Sequence, residues 1–287
     1  MPAPAQLPVD SPFFWLTIGF SLLCAVSVFL WVALLPRKAQ ESEAREWGFP
    51  DMRWMDILTL LALCFLAVFL AVTLLQLLTK LLSIGKTEFS ILANFAMQGS
   101  LILSILYLRQ KLPATYGTPL SRSNAMPLGA SLQYAILTFL KFLPIIWVAN
   151  LAVQSGLEKL GVKVDQQEPV KQILFALQNS PVKFAALAFG AIVLAPIAEE
   201  LLFRACIYRF LLSKASMTAA TCLSAALFAL IHGHVAAFLP LFFLGYLFAR
   251  TYQVTGNIAA PICFHALFNA TTITIMLMSP WFPETQK

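Results

Sequence analysis

The stretch Glu199-Glu200-Leu201-Leu202-Phe203-Arg204 decides how the rest of the chain is interpreted. It follows a long apolar run, residues 184–196, so two carboxylates and a guanidinium stand at the end of a segment that suits a membrane. A charged side chain at the centre of a membrane helix costs about 2.5–3.5 kcal/mol on insertion scales. The stretch therefore indicates either functional carboxylates at membrane depth or a helix end at the lipid headgroups, with its charges in water.

Helical geometry separates the two glutamates. Glu200 and Arg204 are four residues apart, so on a helix they share a face and can form an ion pair. Glu199 lies about 100° around the helix from Glu200 and points elsewhere. We therefore expect one glutamate with a partner on its own helix and a neighbour that is free for chemistry. Pro196 lies just before them, which predicts a kink or a freed backbone carbonyl.

The composition is that of a helical membrane protein rather than a soluble domain. Of the 287 residues, 60% are hydrophobic and only 11% are charged. The net charge of +6 comes from scattered Lys and Arg, which beside membrane spans act as topology signals, so nucleic-acid binding is not expected. The five cysteines lack metal-type spacing and are interpreted as packing residues.

Eight apolar segments are expected to form membrane helices, the seventh of them a little short. They are residues 12–35, 57–79, 89–108, 128–153, 184–212, 217–231, 236–249 and 258–278. The polar residues 158–183 are expected to form an exposed loop with a short surface helix. We therefore predict an all-α, polytopic transmembrane bundle with N-terminal helices of unassigned role (1–157), a polar loop (158–183) and a C-terminal transmembrane region (184–287).

Polar or aromatic residues four positions apart, and so on one helix face, recur on three of the predicted helices. The pairs are Glu200 and Arg204, Phe228 and His232, and His265 and Asn269. A single histidine in an apolar helix is more often structural than catalytic, but two histidines, an asparagine, two glutamates and an arginine together indicate an active site. The third histidine, His234, is interpreted as structural.

These residue types suit hydrolysis by water. A glutamate in an apolar pocket can act as a general base, and asparagine and histidine can donate hydrogen bonds to an oxyanion. The alternative is metal-assisted hydrolysis, with Glu199, His232 and His265 holding a divalent ion such as zinc. The chain has no His-Glu-x-x-His motif, which weakens that alternative without excluding it.

Three short motifs occur in order along the chain. Glu199–Arg204 matches EExxxR, Phe228–His232 matches FxxxH, and His265–Asn269 matches HxxxN. In this order they resemble the motifs of the CPBP family of intramembrane glutamic endopeptidases. That family includes the CAAX prenyl endopeptidases and the bacteriocin-processing and immunity proteins, also called Abi proteins. The resemblance covers residues 180–278, roughly a third of the chain.

The resemblance implies a role for each matching residue. Glu199 would activate water with the help of His232, while His265 and Asn269 would form the oxyanion hole. Residues 184–287 would be the catalytic domain, and no cofactor would be needed, with zinc as the alternative. The residues that would hold the site together are Glu200, Arg204 and Phe228.

The function implied by the resemblance is hydrolysis of a peptide bond in a membrane-associated protein or peptide, of CAAX type or bacteriocin-like. We expect an integral, multi-pass protein in a lipid bilayer, and the short loops favour a bacterial plasma membrane. Two other classes stay open at this point. One is a non-hydrolytic immunity or scaffold protein that keeps the polar cluster for stability, and the other is a transporter that uses the carboxylates as a proton relay. The substrate and the oligomeric state are left open.

Overall fold

The computed structural model describes residues 53–117, 119–122, 124–159 and 168–278. Within these ranges all the regular secondary structure is helical and there is no strand, so the all-α prediction is confirmed for them. The first predicted span, residues 12–35, lies outside the described residues.

The described part of the chain forms nine helices, one of which is a single turn. They are α1 (Trp54–Leu81), α2 (Lys86–Lys111), α3 (Pro113–Tyr116), α4 (Leu128–Lys159), α5 (Glu168–Asn179), α6 (Pro181–Lys214), α7 (Met217–Ile231), α8 (Val235–Thr255) and α9 (Ala259–Met278). Two segments of α6 have π-helical hydrogen bonding: π1 (Gly190–Leu194) and π2 (Leu201–Tyr208).

Four of these helices, α1, α2, α4 and α6, are long and apolar enough to cross a membrane, and α7 and most of α9 are apolar but shorter. Large apolar side chains such as Phe65 and Leu103 are exposed on the outer faces of the long helices. An exposed apolar surface of this extent suits lipid rather than water. The protein is therefore an integral membrane protein, while the number of passes stays a prediction.

The predicted helices differ from the observed ones mainly at their ends. The α4 helix continues through Pro144 to Lys159, beyond the predicted end at residue 153. The α8 helix continues to Thr255, beyond the predicted end at 249, because its polar residues find partners inside the bundle. The side chain of Gln253 donates to hydroxyls on π2 and α7 at 2.6 Å each. The surface helix predicted in the polar segment is α5.

The α6 helix is the centre of the bundle. Residues 201–210 are all buried, as expected for a helix surrounded by protein rather than lying at its edge. It packs against α2, α7, α8 and α9, and α4 covers α8 and α9 from the other side. The fold therefore surrounds the glutamate–arginine stretch with the helices that carry both histidine motifs.

Candidate active site

The two neighbouring glutamates point in different directions, as helix geometry predicts. The Glu200 side chain is 0% exposed, whereas that of Glu199 is 22% exposed. Glu200 Oε2 lies 3.0 Å from Nε of Arg204, whose side chain is also completely buried. The two atoms are in ion-pair contact, although they are not aligned as a hydrogen bond. The predicted pair is thus present inside the protein, which excludes a helix end with its charges in water.

Arg204 is held on several sides by neighbouring helices. Its Nη2 donates to the carbonyl of Gly245 in α8 at 2.8 Å. Its guanidinium carbon lies 4.9 Å from the ring centroid of Phe228 and 5.2 Å from that of Phe248, both within the range of cation–π attraction. These contacts compensate in part for taking the charge out of water.

Gly245 allows α7 and α8 to approach closely at this point. A Cβ added at Gly245 would lie 3.1 Å from Cδ1 of Phe228 and 3.2 Å from the Cα of Ala225. Because the Ala225 atom belongs to the backbone of α7, it cannot move aside as a flexible side chain could. The glycine thereby places its own carbonyl within reach of Arg204.

His265 of α9 bonds to the other oxygen of Glu200. The distance from Nδ1 to Glu200 Oε1 is 3.0 Å, and because an ionised carboxylate only accepts, the Nδ1–H donates. Phe248 stacks on the imidazole with ring centroids 4.6 Å apart and planes at 22°. Together these contacts hold the ring so that its Nε2 faces the second glutamate, 3.8 Å from Glu199 Oε2.

His232 approaches Glu199 from the C-terminal end of α7. Its Nδ1 lies 2.7 Å from the carbonyl of Phe228 and donates to it. In a neutral ring the Nε2 then carries no proton, and this atom lies 4.0 Å from Glu199 Oε2. The Nε2 atoms of both histidines therefore face one carboxylate oxygen at distances too long for direct hydrogen bonds but suited to a bridging water.

Asn269 lies one turn beyond His265 on α9. Its Nδ2 donates to the carbonyl of Ala191 in π1 at 2.8 Å. The bond ties α9 to the helix that carries both glutamates. The second N–H of this amide has no acceptor among the described residues.

Six of the seven motif residues named from the sequence meet in one cluster, and Asn269 lies beside it on α9. His234, for which the sequence predicts a structural role, is the N-cap residue of α8. Two contributors were missed, Gly245 and Phe248. Phe248 is one of 24 phenylalanines and carries no distinguishing pattern, whereas a glycine inside an apolar helix is unfavourable and could have indicated close packing.

The zinc alternative can be compared with the positions of its proposed ligands. Among the described residues no group of three His, Cys, Asp or Glu has a metal-binding arrangement. Ligand atoms around a tetrahedral zinc lie about 3.3 Å apart, given metal–ligand distances of about 2.0–2.1 Å. Glu199 Oε2 is 4.0 Å from Nε2 of His232 and 3.8 Å from Nε2 of His265, so all three side chains would have to close in on an ion.

The fold and this cluster define a membrane-embedded helical protein with a cluster of glutamate, arginine and histidine side chains inside the bundle. Residues 181–271 match the family model described as type II CAAX prenyl endopeptidase Rce1-like. The matched stretch begins where α6 begins and includes every motif residue. No curated protein and no solved structure matches the chain. The match supports the family that the three motifs indicate and a CAAX-type protease within the membrane.

Proposed function

We propose that the protein is an intramembrane endopeptidase in which Glu199 activates a water molecule. The observation that carries this proposal is the approach of two Nε2 atoms, from His232 and His265, to the same Glu199 oxygen at 4.0 and 3.8 Å. When the His232 ring is neutral, its Nε2 and the Glu199 oxygen are both acceptors. A water molecule has two hydrogens to offer such a site, and its lone pairs are then directed to a substrate carbonyl.

In this scheme Glu199 is the general base. It takes one proton from the water while the oxygen attacks the carbonyl carbon of the scissile peptide bond. The proton then passes to the leaving nitrogen, and the carbon–nitrogen bond breaks. His232, which the Phe228 carbonyl holds in one tautomer, orients the water. No covalent intermediate and no cofactor are required.

The oxyanion that forms during the attack needs hydrogen-bond donors. His265 already uses its Nδ1–H on Glu200, so in this scheme it donates to the oxyanion from Nε2 as the imidazolium. The second donor to the oxyanion is the Asn269 N–H that is not bonded to the Ala191 carbonyl. Glu200 and Arg204 support this arrangement without contacting the substrate.

The exposure of the cluster is consistent with an apolar or lipid-linked substrate. The Glu199 and His232 side chains are partly accessible, at 22% and 24% exposed, although the Glu199 Oε2 atom that faces the histidines is itself buried, and Glu200 is completely buried. The two residues before His232, Leu230 and Ile231, are exposed and apolar. A substrate would therefore reach the water-activating pair along an apolar surface. Together with the family match, this favours a CAAX-type protein or another membrane-associated peptide.

Cleavage of peptides by the purified protein in detergent tests the proposal. The substrates are matched peptides with and without a prenyl group on cysteine. Glu199→Gln keeps the shape of the side chain but removes the base, so turnover should fall by about 10²-fold or more. Glu88→Gln is the matched control, because Glu88 forms an exposed ion pair with Lys183 at the start of α2. Parent-like cleavage by Glu199→Gln would remove Glu199 from the mechanism.

A further inference from the structure

We infer that Pro196 and Asn269 act together as a positioning device that selects the π-helical form of α6 and thereby aims Glu199 at the two histidines. The inference deepens the proposed function and rests on it for its catalytic consequence. The structural part of the inference concerns which donor bonds to the Ala191 carbonyl, and it does not depend on that function.

The proline leaves one carbonyl of α6 without a donor whichever form the helix takes. In the observed π1 segment the Ala195 N–H donates to the Gly190 carbonyl, five residues back. Continuing that pattern, the Ala191 carbonyl would accept from residue 196, which is proline and has no N–H. In an α-helical form the same proline would instead leave the Ile192 carbonyl without its donor.

Asn269 satisfies the carbonyl that the π form leaves open. Its Nδ2 lies 2.8 Å from the Ala191 oxygen, so this partly buried acceptor is paired. In the α-helical alternative the Ala195 N–H would donate to the Ala191 carbonyl. Asn269 would then lose its bond, and the Ile192 carbonyl would be left without a donor. The bond from α9 therefore favours the π form over the α form.

The choice of form sets the direction of the catalytic glutamate. Both glutamates lie in the short α-helical segment Ala195–Glu200, directly after π1. A π turn holds one residue more than an α turn, so converting π1 to α-helix would rotate the following residues by about 100° relative to those before it. Glu199 would then no longer face His232 and His265. Pro196 is thus a positioning residue that touches no substrate.

The same bond also fixes the side-chain amide of Asn269. The Ala191 carbonyl only accepts, so the Asn269 amide cannot be flipped, because its Oδ1 would then face the carbonyl oxygen. The two N–H groups of an amide lie in one plane, so the direction of the second is determined once the first is bonded. The freed carbonyl thus prepares Asn269 as a donor before any substrate arrives.

The test follows the Asn269 side-chain amide by NMR in the full-length protein, labelled with ¹⁵N in its asparagine side chains and held in detergent micelles. The resonance pair is assigned by its loss in Asn269→Asp. We expect one of its two protons to be shifted downfield and slow to exchange with solvent. In Pro196→Ala, which restores an N–H at position 196, that proton should move to the position of an unbonded amide. The matched control is Pro144→Ala, at an exposed proline inside α4.

Kinetics give the second readout. Pro196→Ala should lower kcat by up to about 10²-fold, the scale for a misplaced reacting group, with little change in KM. Adding Asn269→Asp to it should cost little more than the larger single effect, because the two residues act through one carbonyl. If the protein cleaves no peptide, the proposed function fails while the amide spectrum still decides the inference. An Asn269 amide without a bonded proton in the parent, or one unchanged in Pro196→Ala, would overturn it.

Discussion

Glu200 Oε1 accepts a hydrogen bond from Nδ1 of His265 at 3.0 Å, across two helices that are far apart in the chain. Its other oxygen contacts Arg204 one turn along its own helix. One completely buried carboxylate therefore compensates a buried arginine and holds the His265 ring. In the proposed function the two adjacent glutamates then have separate tasks: Glu200 organises the site and Glu199 acts on water.

Arg204→Ala should destabilise the folded protein. Removing the guanidinium leaves the Glu200 carboxylate as a buried charge without its cation, at a cost of about 3–5 kcal/mol in the free energy of unfolding. The yield of folded protein in detergent and the thermal midpoint should both fall. Arg53→Ala is the matched control, because Arg53 is 81% exposed and its pair with Asp56 has the same kind of local spacing. That variant should melt like the parent. A parent-like melting curve for Arg204→Ala would show that the buried pair does not hold the fold.

Phe248→Leu should lower turnover more than it lowers stability. The ring stacks on His265 and also faces the Arg204 guanidinium, and such aromatic contacts are worth about 0.5–1.5 kcal/mol beyond their buried area. Turnover should fall by up to about 10-fold, with little change in KM, because the imidazole loses its orientation. Phe65→Leu, at an exposed ring on α1, should leave turnover unchanged. Equal kinetics in the two variants would contradict a positioning role for Phe248.

Gly245→Ala should separate α7 from α8. The new methyl group would meet Ala225 Cα at 3.2 Å, and overpacking of this kind costs about 1–3 kcal/mol. Since the Gly245 carbonyl holds Arg204, activity should fall together with the melting temperature. Gly99→Ala in α2 is the matched control, because nothing lies within 4 Å of its added Cβ. Replacing a helical glycine there should stabilise the protein by about 0.5–1 kcal/mol. If both variants shifted the melting temperature upward, the close approach at Gly245 would not be required.

The parts of the site that sequence could predict are those fixed by local geometry. The Glu200–Arg204 pair follows from residues four apart on one helix, and the helices themselves follow from apolar runs. The Glu200–His265 bond could not be predicted, because it depends on how α9 packs against α6. The predicted end of α8 is too early because Gln253 is polar, and its partners on π2 and α7 lie elsewhere in the chain.

The π-helical hydrogen bonding of α6 could be predicted from the sequence only in part. Pro196 predicts a freed carbonyl, and the structure identifies that carbonyl as the one of Ala191, which accepts from Asn269. The sequence could not show which carbonyl would be freed, because that depends on whether the preceding turn is α or π. The choice in turn depends on a donor from α9, and so on tertiary packing rather than on local preference.

The last prediction separates water activated by glutamate from water activated by metal. Both schemes use Glu199, His232 and His265, so substitutions at these positions cannot decide between them. Asn269 is informative in part, because an amide that donates to a carbonyl is a poor ligand for zinc but a good donor to an oxyanion, although its bond to the Ala191 carbonyl would also aim Glu199 in either scheme. Asn269→Ala should therefore lower turnover by about 10²–10³-fold, the scale for losing one oxyanion donor.

Chelation completes the distinction, because a zinc site held by neutral histidines and an ionised carboxylate would be emptied by a strong chelator and refilled by added ion. We expect the parent to keep its activity through prolonged chelation, and elemental analysis of the active protein to find no stoichiometric transition metal. The same treatment of a known zinc protease in the same detergent controls for access of the chelator. Loss of activity with the chelator, followed by recovery with added zinc, would reverse the assignment and make Glu199 and the two histidines metal ligands.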